Sequence, residues 1–215
     1  MKFLTIVFTA AIFISAIFTI RTKYENNARM HYIFKPLTTI LIIAVAVIAG
    51  WANKDAYFYL IFIGLLFCLA GDIFLMLPGD RFIAGLASFL VAHLLFSVAF
   101  VAVNGKITWI LLLFFVILAM AIYKILLPFL GKLNITVFIY VIAIMAMAWR
   151  ANENGLAYLE MLSCGAAAIG SLFFLLSDTL LAFNKFRKKF KSAEFWVLST
   201  YFAAIYFIAI STSRL

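Results

Sequence analysis

Two aspartates stand alone inside long apolar stretches of this 215-residue chain. Asp72 lies within residues 70–75 and Asp178 within residues 176–181, and no other charged residue occurs in either stretch. A carboxylate in hydrocarbon is costly unless it is paired, protonated or exposed to a water-filled cavity, so it usually marks a functional site. The alternative is that the two side chains only tie helices together through hydrogen bonds.

The chemistry open to such a pair is acid–base catalysis. Two neighbouring carboxyls in apolar surroundings do not ionise equally, so one can donate a proton while the other accepts one or stabilises a cation. Both assignments of these roles stay open at this point. The chain lacks H-E-x-x-H, G-x-S-x-G and a glycine-rich phosphate loop. We therefore predict neither a metal nor another cofactor.

The composition places these acids in a membrane. Apolar residues make up 68% of the chain and charged residues 12%, whereas charged residues reach about a quarter in soluble domains. The net charge of +9 comes from basic residues near the ends of the apolar stretches. This placement favours anionic lipid headgroups over nucleic acid as the partner.

Eight apolar segments are long enough to be spanning helices, which need roughly 20 residues. They predict an all-α polytopic membrane protein with a single transmembrane domain over residues 1–215, and we interpret the first segment as a retained helix. Three prolines, Pro36, Pro78 and Pro128, fall at the ends of these segments, which disfavours broken helices. The segments are residues 3–20, 37–52, 57–77, 82–103, 107–127, 133–149, 161–183 and 195–213.

The distribution of basic residues predicts the orientation. The odd-numbered loops, counted together with Lys124 near the end of its segment, carry 12 of the 17 Lys and Arg residues, so the positive-inside rule places these loops in the cytoplasm. Asp72 and Asp178 then lie at one level, about 7 Å from the cytoplasmic ends of their helices at 1.5 Å per residue. His93 lies near mid-bilayer, and Lys35 marks the cytoplasmic entry of the second helix. The expected location is a bacterial inner membrane.

The two aspartate contexts also suggest a duplication. They lie half a chain apart, which corresponds to a displacement of four helices. An even number of helices in each unit gives two parallel repeats, with a site expected at their interface.

Several short motifs, in order, resemble those of the YhhN-like lysoplasmalogenase family. The resemblance extends over nearly all eight segments. The motifs are Lys35-Pro36, Gly71-Asp72 with Leu75, Phe82-x-x-Gly85-x-x-x-Phe89-x-x-x-His93, Ser177-Asp178-x-x-Leu181-Ala182 with Lys185-Phe186, and Thr200-Tyr201-Phe202-x-Ala204.

This resemblance implies hydrolysis of the vinyl ether bond of lysoplasmalogens, with a lysophospholipid as substrate and membrane lipids as surroundings. It implies that Asp72 and Asp178 are catalytic. Supporting or substrate-binding roles follow for His93, Ser177 and Tyr201, and for Lys35, which we expect to meet the substrate phosphate. The main alternative is a small proton-coupled transporter using the same aspartates. The oligomeric state is left open.

Overall fold

The computed structural model of the protein describes residues 2–79, 81–103 and 107–213. Eight α-helices account for most of these residues, which confirms the prediction of an all-α polytopic fold. The predicted single domain includes residues 1 and 214–215, which lie outside the described residues. The helices are α1 (Lys2–Tyr24), α2 (Ala28–Gly50), α3 (Ala56–Met76), α4 (Phe82–Val101), α5 (Trp109–Leu130), α6 (Asn134–Ala157), α7 (Leu162–Ala182) and α8 (Ala193–Ile210).

Within the described residues, seven helical stretches are long and apolar enough to cross a membrane. The longest, Trp109–Ala157, contains both α5 and α6, which are joined by the 3₁₀ turn Gly131–Leu133. A π-helical turn, Phe183–Arg187, continues α7. The eight predicted segments therefore correspond to the eight α-helices.

The second helix begins nine residues before the predicted start, because it is capped by Asn27, whose side chain accepts a hydrogen bond from the backbone N–H of Met30 at 3.3 Å. Asparagine is among the preferred residues at this position. The tight turn before it uses Asn26 at a φ of 54°, a backbone conformation that asparagine tolerates. The placement of Pro36 at a helix end was wrong, since Pro36 lies inside α2.

Pro128 also lies inside its helix, near the end of α5. The structure shows α2 and α5 each as one continuous element through the proline. Neither helix is therefore divided into the two half-helices typical of many transporters.

The packing of the helices repeats between the two halves of the chain. In each half the first helix packs on the second, the second on the third and the third on the fourth. The halves meet through α4 against α6 and, equivalently, α8 against α2. This order of neighbours agrees with the predicted duplication. The first helix of each half lies at the periphery, where α5 contacts mainly α6 and the π-helical turn.

The four connections α1–α2, α3–α4, α5–α6 and α7–α8 lie at one end of the bundle, which we call the basic end. Asp72 lies in the last turns of α3 and Asp178 in the last turns of α7, both of which run toward this end. Gly71 lets α3 approach α4 closely, because a Cβ atom there would lie 2.7 Å from the ring of Phe89.

Candidate active site

Asp72 is the acceptor at the centre of a buried polar cluster. Its side chain is 1% exposed, and its Oδ2 accepts hydrogen bonds from Thr39 Oγ1 at 2.7 Å and from the Tyr201 hydroxyl at 2.8 Å. Its Oδ1 lies 3.1 Å from Nζ of Lys35, an ion pair without the alignment of a directed hydrogen bond. Helices α2, α3 and α8 thus all contribute to the surroundings of this carboxylate.

Lys35 lies deeper than the sequence predicted. It is in the second turn of α2 rather than at the start of the helix, and it is 7% exposed. The prediction that it marks the helix entry was wrong, because hydropathy placed the start of α2 nine residues late. Its ammonium is the cationic partner of Asp72, while its side chain also lines a large cavity at the basic end.

Asp178 has a separate set of partners. Its Oδ2 accepts a hydrogen bond from the Tyr140 hydroxyl and lies 3.3 Å from Nε2 of His93. The Tyr140 hydroxyl and His93 Nε2 are themselves 3.4 Å apart. His93 is fully buried, whereas the side chain of Asp178 is 13% exposed. This carboxyl therefore depends on α4 and α6 for its orientation and retains access to a cavity.

Three aromatic rings lie between the two polar clusters. Tyr201, which contacts Asp72, packs edge to face on Phe89 and Phe174, with ring centroids 5.7 Å and 5.6 Å apart. Phe174 in turn packs on His93, the neighbour of Asp178, at 4.6 Å. Packed aromatic rings thus connect the surroundings of the two acids.

A large cavity of about 430 Å³ opens at the basic end. Its lining combines apolar side chains with ionisable ones, among which the cations outnumber the acid Glu194. Lys35 lines this cavity, so the cluster around Asp72 lies beside it. The cationic lining residues are Lys23, Lys35, Arg81, Lys185 and Lys189.

A smaller cavity of about 40 Å³ is lined by Asp178, with Tyr140 and Thr179 as its other polar residues among mostly apolar side chains. Phe82 lines both this apolar cavity and the large basic one. Two consecutive residues of the π-helical turn surround that ring: Lys185 Nζ lies 4.8 Å from its centroid and the Phe186 ring packs edge to face on it at 5.7 Å. The Phe82 ring is therefore part of the wall of both cavities.

Tyr201 contacts one of the two aspartates, whereas Ser177 has a structural partner instead. Tyr201 donates directly to Asp72, whereas the Ser177 hydroxyl donates to the backbone oxygen of Val197 at 3.0 Å and ties α7 to α8. Two residues that the sequence analysis did not single out, Thr39 and Tyr140, donate to the aspartates. Their spacing on α2 and α6 carried no signal, because an isolated hydroxyl in an apolar helix usually bonds to its own backbone or to a neighbouring helix.

The helices and the membrane-protein relatives below define a multi-pass integral membrane protein with ionisable groups buried between its helices. Residues 30–212 match the YhhN family. The chain belongs to this family, as the order of its short motifs predicted.

Named relatives come from animals and bacteria. The chain is 35% identical over 153 residues to the pig protein "Lysoplasmalogenase TMEM86B", covering 70% of this chain and 62% of the relative. It is 34% identical over 161 residues to human "Lysoplasmalogenase TMEM86A", covering 70% of this chain and 64% of the relative. The chain thus spans less than two thirds of the length of these animal relatives.

A bacterial relative is matched over nearly its whole length. The "Uncharacterized membrane protein YhhN" of Escherichia coli O157:H7 is 24% identical over 204 residues, covering 94% of this chain and 96% of the relative. No solved structure matches the chain.

Proposed function

We propose that this protein is a membrane-embedded hydrolase that cleaves the vinyl ether bond of lysoplasmalogens, in the bacterial inner membrane. The animal relatives named lysoplasmalogenase support this activity. The observation that carries the proposal is the position of Asp178. It is a carboxyl in a mostly apolar cavity that shares the wall residue Phe82 with a basic cavity. A basic cavity followed by an apolar one suits a lysoplasmalogen, because its reacting bond lies between a phosphate headgroup and a hydrocarbon chain.

Asp178 is the proton donor in this proposal. Apolar surroundings favour the neutral form of a carboxyl, and the ion-pair partner found for Asp178 is a histidine, which is cationic only when protonated. Its proton adds to the β-carbon of the vinyl ether, and the π electrons of the double bond form the new C–H bond. The α-carbon and the ether oxygen then share the positive charge of an oxocarbenium ion.

Asp72 is the ionised partner. Lys35 balances its charge, and the hydroxyls of Thr39 and Tyr201 donate to it. These contacts stabilise a buried carboxylate, whose fixed negative charge would lower the energy of the cation at Asp178 across the aromatic rings that separate the two clusters. Water adds to the α-carbon and gives a proton to the Asp178 carboxylate, which forms a hemiacetal and restores the acid. Collapse of the hemiacetal breaks the bond between the α-carbon and the ether oxygen, and the hemiacetal O–H proton goes to that oxygen. The products are a fatty aldehyde and a glycerophospho-alcohol.

The direct test is incubation of the purified protein with a lysoplasmalogen, followed by mass spectrometry of both products. We expect one long-chain aldehyde for each glycerophospho-alcohol, without added metal or cofactor. An ester lysophospholipid of the same headgroup is the control and should stay intact. If no vinyl ether lipid yields aldehyde, the hydrolase proposal fails, and proton-coupled uptake into liposomes becomes the next assay.

Cations of the large cavity are expected to bind the substrate phosphate. Arg81, Lys185 and Lys189 line it together with Lys35, and charge-assisted hydrogen bonds to phosphate are among the stronger ones. We expect Arg81→Gln or Lys189→Gln to raise KM about tenfold, the scale of one such bond, with a smaller change in kcat.

The matched control for this prediction is Lys124→Gln. Lys124 is an exposed lysine of α5 that does not line the cavity. Kinetics in detergent at low and high salt provide the measurement, and the effect of the cavity variants should shrink as salt screens the charges. Equal KM changes in all three variants would contradict phosphate binding here.

Tyr140 is proposed as a positioning residue, since its hydroxyl holds Oδ2 of Asp178. Tyr140→Phe keeps the ring and removes this donor. We expect kcat to fall about tenfold with little change in KM, because the acid loses its orientation, and misplacement of a catalytic group slows the chemical step. Tyr206→Phe is the control: Tyr206 is a tyrosine of α8 that lines none of the cavities, and its hydroxyl shares a hydrogen bond of 2.9 Å with Thr9 Oγ1. A fall in KM and kcat together, or the same change in both variants, argues against the role.

A further inference from the structure

A third cavity lies between α5 and α6. It measures about 330 Å³, and its walls present only apolar atoms to the space inside. Small residues on the two facing helices, Ala119 and Ala146, help to make the room. We call this cavity the α5–α6 groove. In a membrane such a space is occupied by hydrocarbon, so the question is which hydrocarbon it holds.

The groove lies next to the cavity at Asp178. Val141 and Met145, both buried, line the two spaces. They are four residues apart on α6 and thus lie one above the other on one face of the helix. The part of the wall that the two spaces share is therefore a single stripe of α6.

The direction of the groove also suits a lipid chain whose headgroup lies at the basic end. It leads away from the basic end, from the level of Val141 to that of Trp149, which is about 12 Å along α6 at 1.5 Å per residue. A lipid chain spans about half of the roughly 30 Å hydrocarbon core, or roughly 15 Å. A molecule with its phosphate in the basic cavity and its reacting bond at Asp178 would therefore extend its chain along this groove.

We propose that the α5–α6 groove binds the hydrocarbon chain of a single-chain ether lipid whose headgroup lies in the basic cavity. This rests on the proposed function for the identity of the lipid, but binding itself needs no hydrolysis. Trp149 marks the far end of the groove, so the groove also sets a preferred chain length.

Binding is tested with a saturated alkyl ether lysophospholipid, which has no vinyl ether to cleave, carrying a diazirine at the chain terminus. After irradiation of the full-length protein in nanodiscs, peptide mapping should place the label mainly on groove residues near Trp149. Excess unlabelled lysolipid should remove at least about nine tenths of the label, as expected for competition at 10 times Kd or more. Label spread over the exposed outer helix faces overturns the proposal.

The competitor identifies the occupant. Equal competition by a two-chain phospholipid would show that the groove holds ordinary bilayer lipid, and cross-linked dimers through α5 would show that a second copy covers it. Either result overturns the proposal. Correct labelling without any aldehyde release from vinyl ether lipids would uphold the groove and refute the hydrolase, so the two failures are distinguishable.

Chain-length selectivity gives an independent readout. Ala119→Phe or Ala146→Phe fills the groove, so the ratio of kcat/KM for a long-chain over a short-chain lysoplasmalogen should fall about tenfold, equivalent to about 1.4 kcal/mol. Ala121→Phe is the matched control, because Ala121 is an exposed residue of α5 outside the groove. An unchanged ratio in folded Ala119→Phe and Ala146→Phe overturns the proposal, and the labelling experiment decides it if neither variant folds.

Discussion

Asp178→Asn is expected to lower the rate of vinyl ether hydrolysis by at least about 10²-fold, the scale of general acid–base catalysis. Asparagine has nearly the same size as aspartate but has no carboxylic proton to transfer to carbon. Its amide can still accept the hydrogen bond that Tyr140 gives to Asp178. The measurement is kcat from aldehyde release at saturating substrate. Asp72→Asn should cause a loss of similar size, because the negative charge proposed to stabilise the cation disappears.

Asp55→Asn is the control for both aspartate variants. Asp55 caps α3 by accepting from the backbone N–H of Phe58 at 2.9 Å, and asparagine caps a helix equally well. This variant should keep full activity. Elution as a monodisperse species with unchanged far-UV circular dichroism must accompany each loss of rate. Full activity in both Asp72→Asn and Asp178→Asn would refute the paired-acid mechanism.

Lys35→Met should lower the free energy of unfolding by about 3–5 kcal/mol, because it leaves the buried Asp72 carboxylate without its cation. Methionine retains much of the apolar stem, so the loss comes chiefly from the charge. The double variant Lys35→Met/Asp72→Asn should recover much of this stability, since neither charge remains buried alone. Unfolding by titration with sodium dodecyl sulfate in mixed micelles provides the measurement.

Lys23→Met is the matched control for this prediction. Lys23 forms an ion pair with Glu194 at 3.7 Å, but both side chains are at least 40% exposed. Such exposed pairs contribute about 0–1 kcal/mol. Equal losses in the Lys23 and Lys35 variants would show that burial of the Asp72 ion pair has no special energetic weight, contrary to the structure.

Much of the architecture could be predicted because it follows from one-dimensional signals. Long apolar runs define spanning helices, and a lone carboxylate in such a run is unusual enough to single out Asp72 and Asp178. The sequence was less informative about where helices begin. Arg29, His31 and Lys35 interrupt the apolar run at the start of α2, so hydropathy missed the cap at Asn27.

The partners of the two acids could not be predicted in the same way. Thr39 and Tyr140 come from helices far away in sequence, and their contacts depend on the rotation and depth of α2 and α6. No periodicity along one helix encodes these tertiary quantities. Likewise, the charge of Lys35 is compatible with a phosphate or with a carboxylate as its partner. The packing of α2 against α3 brings it to the carboxylate of Asp72.

The ring of Phe82 lies between the basic cavity and the apolar cavity at Asp178 and lines both of them. Lys185 approaches it from the basic cavity and Phe186 from the apolar one, and both belong to the same π-helical turn. The π-helix is a rare form that usually occurs as one such turn inside a longer helix. Rewinding this turn into regular α-helix would rotate both side chains at once. One turn of the chain therefore supplies the contacts on both the basic and the apolar side of this ring.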